Sequence, residues 1–240
     1  MRPALQRVRW HRLPSAQALQ EAAARRILDA AARAIRDRGR FHVVLAGGQT
    51  PRAVYRRLRT ASTDWSAWHV YFGDERCLPP GDPGRNSQMA ARTWLDHVAI
   101  PASNIRVIPA ERGARAAARV YAARLRRVDA FDLVLLGLGE DGHTASLFPG
   151  HEWAAGRGAP DTLAVLDAPK PPRERVTLSA ARLSRAREAL FLVEGTSKRD
   201  AVARWRAGEN IPARAIRPRS GVDVLVESRL LRAIGRIPPR

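Results

Sequence analysis

The chain is short of cysteine, of lysine and of long apolar runs, and each shortage closes off a class of protein. A single cysteine, Cys77, permits no internal disulfide and no cysteine-rich zinc site, so packing must hold the fold. No segment reaches the roughly 18 consecutive apolar residues of a membrane-spanning helix; the best candidate is Phe131-Asp132-Leu133-Val134-Leu135-Leu136-Gly137-Leu138. No membrane partner is expected. The stretch Met1–Trp10 carries charge throughout and lacks the apolar core of about 7–15 residues that marks a secretory leader, which predicts a cytoplasmic protein. Among the six histidines there is no His-Glu-x-x-His pattern, and His143 and His151 lie too far apart for a short metal-ligand spacing. No metal is expected.

Of 42 basic side chains only two, Lys170 and Lys198, are lysines. The rest are arginines, spread with alanine over every expected helix, and they leave a formal net charge of +19. Clustered arginine would neutralise nucleic-acid phosphates. An even spread reads instead as a solvated surface that attracts small anions. No nucleic-acid partner is expected, and no helix-turn-helix segment precedes residue 15 to read DNA. With 240 residues and 45% hydrophobic content, the chain can bury one sizeable core, which predicts one domain over 1–240.

Short apolar, β-branched runs alternate with amphipathic stretches, the pattern of a doubly wound, mostly parallel α/β sheet flanked by helices. Leu19, Ala23, Ile27, Leu28, Ala31 and Ile35 recur at helical spacing over 15–38, with Gly39 where a cap belongs. Strands are expected at 41–46, 68–72, 105–108, 131–138, 162–166, 189–194 and 222–226. Further helices are expected from Pro51, at 86–97, at 113–127 and from Ser197 to Ala207. The Gly/Pro-rich stretches 149–161 and 168–173 read as surface loops.

In such a sheet ligands bind beyond the carboxyl ends of the strands, so the segments after 41–46, 68–72, 131–138 and 189–194 should converge. Gly47-Gly48-Gln49-Thr50 can aim backbone N–H groups at an anion in front of a helix start, with the Thr50 hydroxyl as a further donor. It lacks the Gly-Lys-Ser/Thr ending of a nucleotide-binding loop. Asp74-Glu75-Arg76 supplies two carboxylates and a forked cation that suits either a phosphate or a developing oxyanion. Cys77 beside it reads as a small packed residue. Gly137-Leu138-Gly139-Glu140-Asp141-Gly142 matches a dinucleotide fingerprint, with Asp161 or Asp167 as a ribose partner. Pro149 and Gly150, however, stop any helix there within about two turns, too short for the crossover helix such a unit needs. His143 follows those glycines, and Asp141, two residues earlier, can orient its ring for general acid/base work. Lys198 opens a helix after a strand, a favourable place for an ammonium that binds a phosphate monoester.

In order along the chain, Leu45-Ala46-Gly47-Gly48-Gln49-Thr50-Pro51, Gly73-Asp74-Glu75-Arg76-Cys77-Leu78-Pro79 with Asp82-Pro83 and Asn86, Asp141-Gly142-His143-Thr144-Ala145-Ser146-Leu147-Phe148-Pro149-Gly150, Arg175-Val176-Thr177-Leu178-Ser179 and Gly195-Thr196-Ser197-Lys198 resemble the 6-phosphogluconolactonase family. The resemblance spans about residues 20–230. The related glucosamine-6-phosphate deaminase/isomerases share the glycine turn and Asp-Gly-His. They differ where this chain has Arg76 and the Thr144–Phe148 continuation. Ala46, Gln49 and Arg85 stand where serines are common in the lactonases.

The resemblance implies hydrolysis of 6-phospho-D-glucono-1,5-lactone in the oxidative pentose phosphate pathway, without cofactor, by a monomer or weak homodimer. It implies His143, Asp141, Arg76 and Asp74 as catalytic residues, with Asp74 and Asp141 positioning Arg76 and His143. Substrate would be held by Gly47, Gly48, Gln49, Thr50, Asn86, Arg175 and Lys198. Which of Arg76, Arg175 and Lys198 meets phosphate and which the carbonyl oxygen stays open. A sugar-phosphate isomerase/deaminase or a non-enzymatic sugar-phosphate sensor on the same fold is the alternative.

Overall fold

The computed structural model describes residues 6–231; the first five residues of the segment read above for a leader, and the last nine of the chain, lie outside them. One sheet has seven strands, β1 (Val8–Leu13), β2 (Phe41–Leu45), β3 (Trp68–Phe72), β5 (Ile105–Arg106), β6 (Phe131–Gly137), β9 (Ala186–Val193) and β10 (Val222–Glu227). Every pairing in it is parallel, in the order β1-β10-β9-β6-β2-β3-β5. A small antiparallel sheet, β4-β8-β7, is built from β4 (Asp74–Arg76), β7 (Thr162–Val165) and β8 (Arg175–Leu178). The helices are α1 (Ala16–Arg38), α2 (Gln49–Leu58), α3 (Asn86–Thr93), α4 (Ala114–Leu125), α5 (Ala180–Ser184) and α6 (Arg199–Arg206).

Strand order follows from burial. The inner strand β6 is buried along nearly its whole length, as a strand covered on both faces must be. From β2 the chain steps outward through β3 to β5, then returns to β6 on the other side of β2 and proceeds to β9 and β10. That reversal opens a crevice at the carboxyl ends of β2 and β6. Helix α1 is capped by Ser15, whose hydroxyl accepts from the Ala18 N–H at 3.1 Å, and ends at Gly39 with φ 69°. The serine satisfies an orphan donor and the glycine adopts the left-handed turn without steric penalty.

Several elements depart from the sequence reading. Helix α2 starts at Gln49 with Gly48 as its cap, so Pro51 is the third helical residue rather than the first. Proline is tolerated there because N–H groups of the first turn have no intrahelical partner. The expected helix 86–97 stops at Thr93, since fully buried Trp94 packs against Tyr55, Trp65 and Trp68. The strand expected at 105–108 keeps only Ile105–Arg106. Between Gly142 and Pro149 no helix forms at all, and the chain passes from β6 into the second sheet. Strands β1, β4 and β8 and helix α5 went unanticipated.

The edge strand β1 is fixed by charge as well as by its ladder. Buried Asp223 on β10 takes two hydrogen bonds from Arg9 (2.9 and 2.7 Å), one from His11 (2.6 Å) and an ion pair with Arg26 of α1 (3.1 Å). Burial alone would raise this carboxyl, but the bonds from Arg9 and His11 outweigh it and hold it at about 2, below its ordinary 3.8. A depressed carboxyl stabilises the fold above its unfolded value and loses that contribution as pH falls through its folded value. Asp223→Asn is therefore expected to cost about 2–3 kcal/mol at neutral pH, or roughly 4–12 °C in Tm. In thermal melts the gap to wild type should close as pH drops toward about 2.

Candidate active site

The four segments expected to converge do so. Leu45, Gly73, Gly137 and Glu194, at the ends of β2, β3, β6 and β9, border one cavity of about 420 Å³. Gly47, Gly48, Gln49, Thr50, Asp74, Arg76, Asn86, His143, Arg175 and Lys198 all line it. Asp141 does not; it stands behind His143. The volume suits a small metabolite.

His143 is placed by its neighbours on both sides. Its Nδ1 lies 2.5 Å from Asp141 Oδ1, and the same oxygen accepts from the His143 backbone N–H at 3.0 Å. Burial pushes the Asp141 carboxyl up, but these two bonds more than reverse the effect and hold it at about 2. At neutral pH Asp141 is thus an anion and accepts only, so the shared hydrogen resides on Nδ1 and the Nε2 lone pair is left for chemistry. The ring rests on Gly139, where any Cβ would sit 1.9 Å from Nδ1. Arg204 of α6 donates to the Asp141 carbonyl at 3.1 Å and steadies the turn from outside. Among the described residues no group of three His, Cys, Asp or Glu side chains is arranged to hold a metal ion.

The glycine turn is equally constrained. Gly48 has φ 105°, a conformation that side chains rarely adopt. At Gly47 a Cβ would meet Asn86 Oδ1 at 2.0 Å. Asn86 therefore lies directly against the turn, while α2 begins just beyond it and brings the positive end of its dipole to the cavity.

The cationic side is built by the small sheet, so Arg76 and Arg175 stand on strands rather than in loops. They are directly opposed partners on β4 and β8, a spacing that places their Cβ atoms about 5 Å apart. Arg175 is buried, and burial lowers its pKa although nearby Asp74 acts in the opposite direction. It donates to the carbonyls of Pro172 (3.0 Å) and Lys170 (2.8 Å), while its guanidinium packs 5.5 Å from the centre of the Phe148 ring. Arg76 Nη1 donates to the Gly84 carbonyl, and its buried Nε has no partner among the described residues. Lys198 ends a short 3-10 turn and leads into α6.

The expectation that Asp74 positions Arg76 is corrected here. Asp74 and Arg76 are two apart on a strand and so share a face, but no hydrogen bond or ion pair joins them among the described residues. Asp74 instead accepts from Asn86 Nδ2 at 3.0 Å and from Ser146 Oγ at 2.6 Å.

A family model described as glucosamine-6-phosphate isomerases/6-phosphogluconolactonase matches residues 14–225. The chain belongs to this family. It is similar to a protein named 6-phosphogluconolactonase from Synechocystis sp., with 37% identity over 208 residues, 81% of this chain and 85% of that one. A second of the same name, from Mycobacterium tuberculosis, is 38% identical over 204 residues, 79% of this chain and 82% of the other. In structure it resembles the crystal structure of 6-phosphogluconolactonase from Thermotoga maritima, with a TM-score of 0.85, 25% identity, and coverage of 92% of this chain and 100% of that one.

In this member of the glucosamine-6-phosphate isomerase/6-phosphogluconolactonase family, sequence reasoning gave no role to three residues that shape the site. Fully buried Glu75 points to the opposite face of β4 from Asp74 and accepts from the N–H groups of Arg76, Asn86 and Ser87 at 2.7–2.9 Å. It anchors the start of α3 and with it Asn86. Arg85, the departure from the commoner serine, pairs with Glu75 at 3.6 Å and with Glu111 at 3.1 Å. Ser146 was visible only as part of the Asp-Gly-His segment. The Cys77 thiol is pushed up to about 11, by burial first and by Glu174 second, which leaves it a poor nucleophile.

Proposed function

We propose that this chain hydrolyses 6-phospho-D-glucono-1,5-lactone to 6-phosphogluconate in the oxidative pentose phosphate pathway, with His143 as general acid/base. One observation carries the reading: an oriented imidazole, a glycine turn at a helix start and three cations face a single cavity of about 420 Å³, in a chain similar to proteins named for that reaction.

The 6-phosphate is held by the N–H groups of Gly47, Gly48 and Gln49, by the Thr50 hydroxyl and by Lys198. His143 Nε2 takes a proton from water as the water oxygen attacks the lactone carbonyl. The imidazolium that forms is stabilised by the Asp141 anion. Arg76, with Arg175 beside it, stabilises the tetrahedral oxyanion. Collapse breaks the bond to the ring oxygen, which receives the proton back from Nε2. Asn86 supports the turn from behind. Because the imidazole itself activates the water, the step needs neither metal nor cofactor.

The protein acts as one domain, as a cytoplasmic monomer or weak homodimer whose partner is the small sugar phosphate rather than nucleic acid. No helix among the described residues is long and apolar enough to cross a membrane. The test follows freshly generated lactone. Its loss with protein present should exceed spontaneous hydrolysis at the same pH and be indifferent to a chelator. A rate equal to the spontaneous one overturns the reading, and a chelator-sensitive rate overturns the metal-independent step.

A further inference from the structure

The buried hydroxyl of Ser146 has no task in the reaction proposed for the site. Ser146 lies three residues beyond His143, is 1% exposed, and donates to Asp74 Oδ2 at 2.6 Å across 72 positions of sequence. The other oxygen of that carboxylate holds Asn86, whose Nδ2 also donates to the Asp74 carbonyl at 3.0 Å and whose Oδ1 abuts Gly47. One buried anion thus fastens both the support of the phosphate turn and the segment that bears the imidazole.

That segment needs fastening. Thr144 and Leu147 close a tight turn through reciprocal backbone bonds of 2.9 and 3.4 Å. Inside it Ala145 has φ 48°, a left-handed conformation that an alanine keeps only when its surroundings impose it. Asp141 orients the ring of His143 but lies on its N-terminal side, within the same loop. On the C-terminal side Leu147 and Phe148 are packed into apolar clusters, and the hydrogen bonds from the 144–147 turn to the rest of the described fold are Ser146 Oγ to Asp74 and the Ser146 N–H to Thr177 Oγ1 at 3.3 Å, the longer of the two.

We propose that Ser146 is a positioning residue for His143: its hydroxyl locks the 144–147 turn to Asp74, the same carboxylate that holds Asn86 against the phosphate turn. The role rests on the hydrolase reading for its kinetic consequence and on geometry alone for its structural one. Without the hydroxyl, Asp74 keeps Asn86 but the turn loses the shorter of its two hydrogen bonds to the rest of the fold, so placement of the imidazole suffers while phosphate binding persists.

The test is Ser146→Ala in the full-length protein, with folding verified by its melting curve. The kcat for lactone hydrolysis should fall about 10- to 100-fold, the scale of a displaced reacting group, with KM changed by less than about twofold. In ¹H–¹⁵N spectra of the imidazoles, the His143 signals, assigned by their loss in His143→Ala, should shift or broaden while those of His42 and His97 stay. An unchanged kcat, or a lower kcat with unmoved His143 signals, overturns the proposal. If wild-type protein leaves the lactone at its spontaneous rate, the hydrolase reading fails, and the imidazole spectra alone still decide whether Ser146 holds His143. Should the alanine variant not fold, Ser146→Cys, similar in size but a weaker donor, carries the same expectations at smaller amplitude.

Discussion

Replacing His143 with alanine is expected to lower kcat by about 10²–10⁴-fold, the range that a positioned acid/base group contributes. KM should hold nearly constant, because the glycine turn and Lys198, proposed to grip the phosphate, are untouched. Steady-state kinetics corrected for spontaneous hydrolysis checks both halves. Turnover close to wild type would remove His143 from the mechanism. A large rise in KM with kcat preserved would make it a binding residue instead. The expectation is strong because no other imidazole competes for the role: His143 is the one histidine lining the cavity, and burial lowers His42, away from it, to about 4.

The second large effect belongs to a residue without a side chain. Gly47→Ala would bring a methyl group to 2.0 Å from Asn86 Oδ1, closer than any packing tolerates. Asn86 cannot retreat easily, since its backbone N–H is held by Glu75 at 2.7 Å and its amide by Asp74. The turn itself must therefore move and turn its N–H groups off the proposed phosphate site. Hydrogen bonds to a charged group contribute about 1.5–3 kcal/mol each, so kcat/KM should drop by about 10- to 100-fold. The loss should come mainly through KM. Inhibition by 6-phosphogluconate measures the same loss independently, and an unaltered inhibition constant would show that the turn does not bind phosphate.

How much of this was open to inspection in the residues alone depended on the kind of signal. Helix α1 and strands β2, β3 and β6 announce themselves by periodicity and caps, and their bounds fall within a residue or two of expectation. The convergence of the Gly47, Arg76, His143 and Lys198 segments follows from parallel-sheet topology, which needs only the order of strands and helices. What periodicity could not reveal is pairing between short segments. Three residues, Asp74–Arg76, are too few to show alternation, and their identity as a strand depends on β8, which arrives about a hundred residues later. Closeness in sequence suggested Arg76 for Asp74, whereas its actual partners, Asn86 and Ser146, come from other segments. Glu75 and Ser146 were hidden for the same reason, since a buried carboxylate or hydroxyl is recognised only by the distant donors and acceptors it meets.

The pairing of Arg76 with Arg175 across β4 and β8 bears on how the catalytic cycle ends. Ring opening turns a neutral ester into a carboxylate, so the product leaves with one more negative charge than the substrate brought. The two guanidiniums proposed to stabilise the oxyanion are expected to attract that new carboxylate as well. Product is therefore expected to bind more tightly in dilute buffer than at higher salt, where ions screen the attraction, and its inhibition constant measured across ionic strength checks this.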